Sequence, residues 1–191
     1  MEVIMPQKTK IEKQDIILAA LDIVRKDGMA ALNAREVAKR LQCSTQPIFS
    51  NFASMEMLKM AVIENGMKIY QSYLNAEREA DRYPAYKASG MGYIRLAREE
   101  PQKFSLLFMR DRQGENLPQE DESLAPVLDI LQRTLGVSME RAKLFHLEMW
   151  VFVHGIASMI ATGYLDWDEE MVSRVMSDMY QGLVMRFKED V

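Results

Sequence analysis

Cysteine is almost absent from this chain of 191 residues. With Cys43 alone, an intrachain disulfide and a cysteine-cluster metal site are both excluded, and a reducing, cytoplasmic setting is the expected compartment. Cys43 itself reads as a small apolar filler. Histidine is nearly as scarce. His146 and His154 are eight residues apart on one predicted helix, roughly 80° apart in azimuth and about 12 Å along its axis, so they cannot share a metal ion. The chain has no glycine-rich phosphate loop, no nucleophile elbow and no HExxH motif, and Glu99 and Glu100 beside Pro101 read as an ordinary helix end. No enzymatic activity, cofactor or metal is therefore expected. Long hydrophobic runs are lacking too: the 17 residues from Met149 to Leu165 carry no formal charge but fall short of the roughly 20 that a membrane span requires, and they include His154, Gly155, Ser158, Thr162 and Gly163. The opening MEVIMPQKTK has no signal-peptide apolar region, so neither export nor a membrane is expected.

Net positive charge is missing overall, at −4, yet it is not missing everywhere. Up to Met60 nine lysines and arginines face seven aspartates and glutamates; beyond it fifteen face twenty-one. That asymmetry suits a protein whose first domain touches phosphate while the second stays away from it. Lys8 and Lys10, with Lys13 just inside the first helix, form either a backbone-tracking arm or a solvated tail.

What is present is helical periodicity. Ile17, Ala20, Leu21 and Val24 recur at i, i+3, i+4 and i+7, predicting an amphipathic helix from about Ile11 to Lys26 that Gly28 ends. Next comes NAREVAKRLQCSTQPIFSNF, from Asn33 to Phe52. Asn33 can cap a helix, with Glu36 at capping-box spacing, and Val37, Ala38 and Leu41 give it a narrow apolar stripe while Arg35, Lys39 and Arg40 face outward. A turn at Gln42-Cys43-Ser44 leads to a second short helix from about Thr45 to Asn51, favoured by Ser44 as cap and Pro47 in its first turn, with Ile48, Phe49 and Phe52 expected on its buried side. So short a helix is not stable alone in water and must be held by packing. Such a pair reads as a helix-turn-helix, with Thr45 and Gln46 placed to hydrogen-bond base edges in the major groove.

Past this motif Ser54 caps a long helix from about Met55 to Ala80, with Leu58, Ala61, Val62 and Ile69 inward. Further helices are expected at about Ala85–Glu100, around Phe104 to Met109, at about Leu124–Leu135, from Ser138 to about Thr162, and from Asp168 to about Lys188. Asp111 to Glu122 reads as a loop. The expected fold is all-α with about nine helices: a three-helix DNA-binding domain over 1-53 and a larger helical domain over 54-191.

The run from Ile16 to Phe52, with Ser54 and Leu58 after it, resembles the amino-terminal domain of the tetracycline-repressor (TetR) family of transcription regulators. WVFVHG, from Trp150 to Gly155, is similar to a less specific signature in one branch of that family. The chain departs from the family pattern at three positions. Gln42 replaces the usual turn glycine, so the turn either avoids a left-handed conformation or tolerates strain; Phe49 replaces a tyrosine that commonly touches phosphate; Met55 replaces a lysine. Candidate DNA-binding residues are Arg35, Ser44, Thr45, Gln46, Phe49, Ser50 and Asn51.

The resemblance implies a homodimer that binds a near-palindromic operator, represses, and is released by a small-molecule effector. The last two helices supply surfaces for that dimer. Gly155, Ser158, Met159 and Thr162 on the first of them, and Met171, Val175, Met179 and Leu183 on the second, are the candidate interface; the other reading is that both helices close the monomer's own core. Sixteen methionines suit an adaptable cavity. Tyr70, Phe104, Phe108, Met109, Trp150 and Phe152 are candidate linings, implying an apolar or aromatic effector. The alternative function is a helical protein-interaction module whose helix-turn-helix no longer binds DNA. Salt dependence separates the two.

Overall fold

The computed structural model describes residues 11–110 and 120–189. Lys8, Lys10 and most of the expected loop, Asp111 to Gln119, lie outside the described residues. Among the described residues the chain is all-α, with helices α1 (Lys13–Asp27), α2 (Ala34–Arg40), α3 (Gln46–Asn51), α4 (Met55–Glu79), α5 (Ala85–Glu99), α6 (Pro101–Phe108), α7 (Glu120–Leu135), α8 (Met139–Ala161) and α9 (Glu169–Glu189). The chain divides into two compact units, Met1–Met67 and Lys68–Val191. The division falls within α4, whereas the sequence reading sets its boundary before that helix.

In the first unit α1 starts where the Glu12 amide donates to the Asp15 carboxylate at 2.9 Å, and ends at Gly28, whose φ of 79° suits a residue without Cβ. Its buried set includes the four residues of the expected stripe and also Ile16, Ala19 and Ile23, so more than one face is covered. Asn33 caps α2, its Oδ1 accepting from the amides of Arg35 and Glu36 at 3.0 and 3.1 Å. The reciprocal half of the capping box is not formed; the Glu36 carboxylate lies 3.9 Å from Lys39 Nζ instead.

In the second unit α5 is central, packing against α6, α7, α8 and α9. Its core joins Met91, Ile94 and Ala97 of α5 to Phe145, Met149 and Val153 of α8 and Val172 and Met176 of α9. Gly92 lets α5 approach α4 without an intervening side chain: a Cβ there would lie 3.0 Å from the Tyr73 carbonyl oxygen and 3.2 Å from Leu74 Cα. Glu77, 2% exposed, accepts from Arg82 at 2.9 Å and from Arg95 at 3.0 Å, and Arg82 bonds Glu169 at 2.6 Å, joining α4, α5 and α9. Burying such a carboxylate is tolerable only because both its oxygens are paired.

Ser54 and Ser138 cap their helices, Ser54 Oγ accepting from the Met57 amide and Ser138 Oγ from Arg141, and Asp168 Oδ1 does the same for Met171 at the start of α9. α7 departs from expectation. It is helical from Glu120, where a loop through Glu122 was expected, and takes in Pro126. By length and composition α8 could cross a bilayer; its Ala142, Phe145, Met149, Val153, Ile156 and Ala157 are instead packed inside the unit.

Candidate functional site

The first site is built by α2, the turn and α3. Val37 and Ala38 bury one side of α2, while Ile48 and Phe52 fix α3 from below at 0% and 2% exposure. Each such side chain supplies about 1.5 to 3 kcal/mol by burial, which is how a helix of six residues is held. Lys13 adds a cation–π contact, its Nζ 5.1 Å from the centre of the Phe52 ring.

Between the helices the Cys43 amide donates to the Ala38 carbonyl at 3.0 Å and the Gln42 amide to Lys39 at 3.2 Å, the paired bonds of a Schellman turn. Gln42 takes the left-handed position, φ 53°. Of the two alternatives open in the sequence, the turn is thus the strained one. Ser44 is not the cap of α3: Thr45 occupies that position, with no side-chain bond to the helix amides. Phe49, expected on the buried side, is 51% exposed, while Ile48 and Phe52 on either side of it are buried.

The outward face carries Ser44, Gln46, Phe49 and Ser50, with Thr45 and Asn51 half-buried at its edge. Ser50 Oγ donates to the Gln46 carbonyl and Asn51 Nδ2 to Pro47, so both side chains are tied back to their own helix. Arg35 is exposed on α2. Arg40 is held by Asp22 at 2.7 Å, which removes it from the set of free cations. The face therefore offers one long amide, a hydroxyl rim and an apolar ring.

In the second unit the six expected cavity residues are not gathered in one cavity. Phe104 is fully buried; with Tyr70, Tyr93 and Phe108 it forms a packed aromatic cluster with ring centres 4.8 to 5.8 Å apart. Burial pushes the Tyr70 hydroxyl up to about 12, partly offset by Arg78. Met109 is exposed and Phe152 half-buried. Trp150 stacks on His154 at 5.1 Å, and His154 Nδ1 is 2.8 Å from Tyr93 Oη. One turn pair away, His146 Nδ1 is 3.2 Å from Tyr86 Oη. Both histidines are thus bonded to tyrosines of α5, and burial lowers both imidazoles from their ordinary value. Trp150 also borders a small cavity of about 80 Å³ with His146.

A cavity of about 500 Å³ lies between α5, α7, α8 and α9, lined among others by Tyr86, Lys87, Leu131, Met149, Met176 and Ser177. The sequence reading missed these residues. Its available signal was Lys87, which stands at i, i+4 and i+7 with Met91 and Ile94, a cation on a stripe otherwise turned to the core. Lys87 Nζ donates to Ser173 Oγ at 2.7 Å and Ser177 Oγ at 2.8 Å, and sits 4.9 Å from the centre of the Tyr83 ring. Burial lowers its ammonium from the usual lysine value.

The candidate dimer residues divide. Gly155, Ser158 and Met171 are half-buried, Met159 and Thr162 exposed; Val175 and Met179 are partly buried against the core, and Leu183, 6% exposed, belongs to that core. Leu144, Leu147 and Val151 extend the outward face of α8, all with side chains about half exposed. They were legible as i, i+3 and i+7.

The family model described as "Tetracyclin repressor-like, C-terminal domain" matches residues 86–181, half of the chain. A TetR-like transcriptional regulator from Rhodococcus sp. RHA1 has the same fold, with TM-score 0.64 and 14% identity over 97% of this chain and 98% of that one. The multidrug binding protein EbrR, in complex with imidazole, aligns with TM-score 0.53 and 17% identity over 92% of this chain and 97% of that one. No curated protein sequence matches the chain. The chain belongs to the tetracycline-repressor-like family, as a transcription regulator and not an enzyme.

Proposed function

We propose that the protein binds a near-palindromic DNA operator as a homodimer, represses from it, and leaves it when a small effector with an apolar or aromatic body occupies the second unit. The observation that carries this reading is the outward face of α3: Gln46, with Ser44 just before it, is exposed on a helix anchored by Ile48 and Phe52. A glutamine on such a face pairs bidentately with adenine N6 and N7, and the exposed Arg35 supplies phosphate attraction. Two copies related by a twofold axis read half-sites about 34 to 36 Å apart or a multiple of that. EbrR, a multidrug binding protein captured with imidazole, lends support to a small-molecule ligand for this protein.

Selection of bound sequences from random duplex DNA tests the reading, because a recovered palindrome requires both base recognition and twofold pairing. The affinity for the selected duplex should fall with salt at about 0.9 log units per neutralised phosphate per log unit of salt. Failure to enrich any duplex would leave the helical fold without its operator.

A further inference from the structure

We propose that the cavity between α5, α7, α8 and α9 takes an anionic amphipathic ligand, an organic carboxylate whose head pairs with Lys87 and whose apolar body lies along Leu131, Met149 and Met176. This rests on the reading that the second unit binds a small effector, and it adds the effector's charge. Lys87 is the one charged side chain among the described residues that line the cavity, and no aspartate or glutamate lines it. Its ammonium forms no ion pair among the described residues; both of its bonds go to neutral serine hydroxyls, Ser173 and Ser177, leaving a third N–H. Glu169, whose carboxylate Tyr83 touches, is itself paired with Arg82.

A half-buried ammonium without a counter-charge is costly, and a ligand carboxylate is what offsets that cost. The serines fix the ammonium, each hydroxyl accepting from Nζ, and Ser177 Oγ is itself held by donating to the Ser173 carbonyl at 3.0 Å. On the apolar side Met176 is adaptable: its terminal methyl lies 2.4 Å from where a Cβ at Gly90 would be, so the floor depends on a glycine and a flexible thioether. A volume of about 500 Å³ falls within the range of small-molecule sites.

The test titrates the full chain, by calorimetry, with decanoate, with phenylacetate and with the two corresponding primary amides. At least one carboxylate is expected to bind on the order of tenfold or more tighter than its amide, the ratio that a charge-assisted hydrogen bond supplies. Lys87→Met should abolish that ratio while leaving amide binding in place, and Lys87→Arg should retain it. Equal binding of acid and amide, a ratio that survives in Lys87→Met, or no binding of any of the four compounds overturns the assignment. Should circular dichroism show Lys87→Met to be unfolded, the acid-to-amide ratio of the unaltered protein decides. Release from a selected operator is measured separately. A carboxylate held through Lys87 that leaves DNA binding unchanged upholds the chemistry of the cavity and overturns its role as the effector site.

Discussion

At the scale of single residues, Gln42 and Gln46 are four positions apart and have opposite fates. Gln42 occupies a left-handed turn position with φ 53°, a conformation that costs a residue with Cβ about 1 to 2 kcal/mol and glycine almost nothing. Allowing for the greater freedom of glycine in the unfolded chain, Gln42→Gly is expected to stabilise the protein by about 0.5 to 1 kcal/mol, read as a higher urea midpoint at unchanged slope. A lower midpoint would mean that the glutamine side chain contributes more than its backbone costs. Gln46 stands exposed at the start of α3. Gln46→Ala is expected to weaken binding to the selected operator by roughly 1 to 3 kcal/mol while leaving binding to unrelated duplex nearly unchanged. Equal losses on both duplexes would remove Gln46 from base reading. The position of both residues was legible in the sequence; which way Phe49 points was not, because a six-residue helix has too few turns for periodicity to choose a face.

At the scale of elements, α5 and α8 are joined by two tyrosine–histidine bonds, Tyr86 to His146 and Tyr93 to His154. Burial keeps both imidazoles below their ordinary value of 6.5, so between that value and the folded one the unfolded chain binds more protons than the folded chain. Stability should then be fully present above about pH 6.5 and decline as the pH falls through the lowered values. Urea unfolding at about pH 7.5 and about pH 5.5 measures this, and replacing both histidines by glutamine should flatten the difference. An unchanged difference would place the titration elsewhere. Helix number and most helix ends could be read from caps and glycines, as at Ser54, Ser138 and Gly28. The cavity could not. Tyr70, Phe104 and Phe108 satisfy one another in an aromatic cluster, whereas Tyr86, Leu131, Met149 and Met176 come from four helices distant in sequence, and only packing reveals that they leave a space.

At the scale of the molecule, α8 turns an uncovered apolar strip outward, with Leu147 54% and Val151 57% exposed, and Gly155 continues the strip with nothing within 4 Å of an added Cβ. Apolar surface of this kind marks an association site. The paired change Leu147→Glu and Val151→Glu is expected to convert a dimer to a monomer in sedimentation equilibrium, leave the helical circular dichroism spectrum unaltered, and cost most of the operator affinity because two half-sites would no longer be bound at once. A variant that stays dimeric would locate the interface on another surface. Within the second unit the glycine that brings α5 against the end of α4 has a mechanical meaning. A Cβ at Gly92 would meet main-chain atoms of Tyr73 and Leu74, so nothing compressible separates the two backbones, while five and six residues earlier on α5 Lys87 and Tyr86 border the cavity. The contact would serve as a fulcrum: were an occupant to displace the first turn of α5, no side-chain rotamer at the pivot would absorb the motion before it met the main chain of α4.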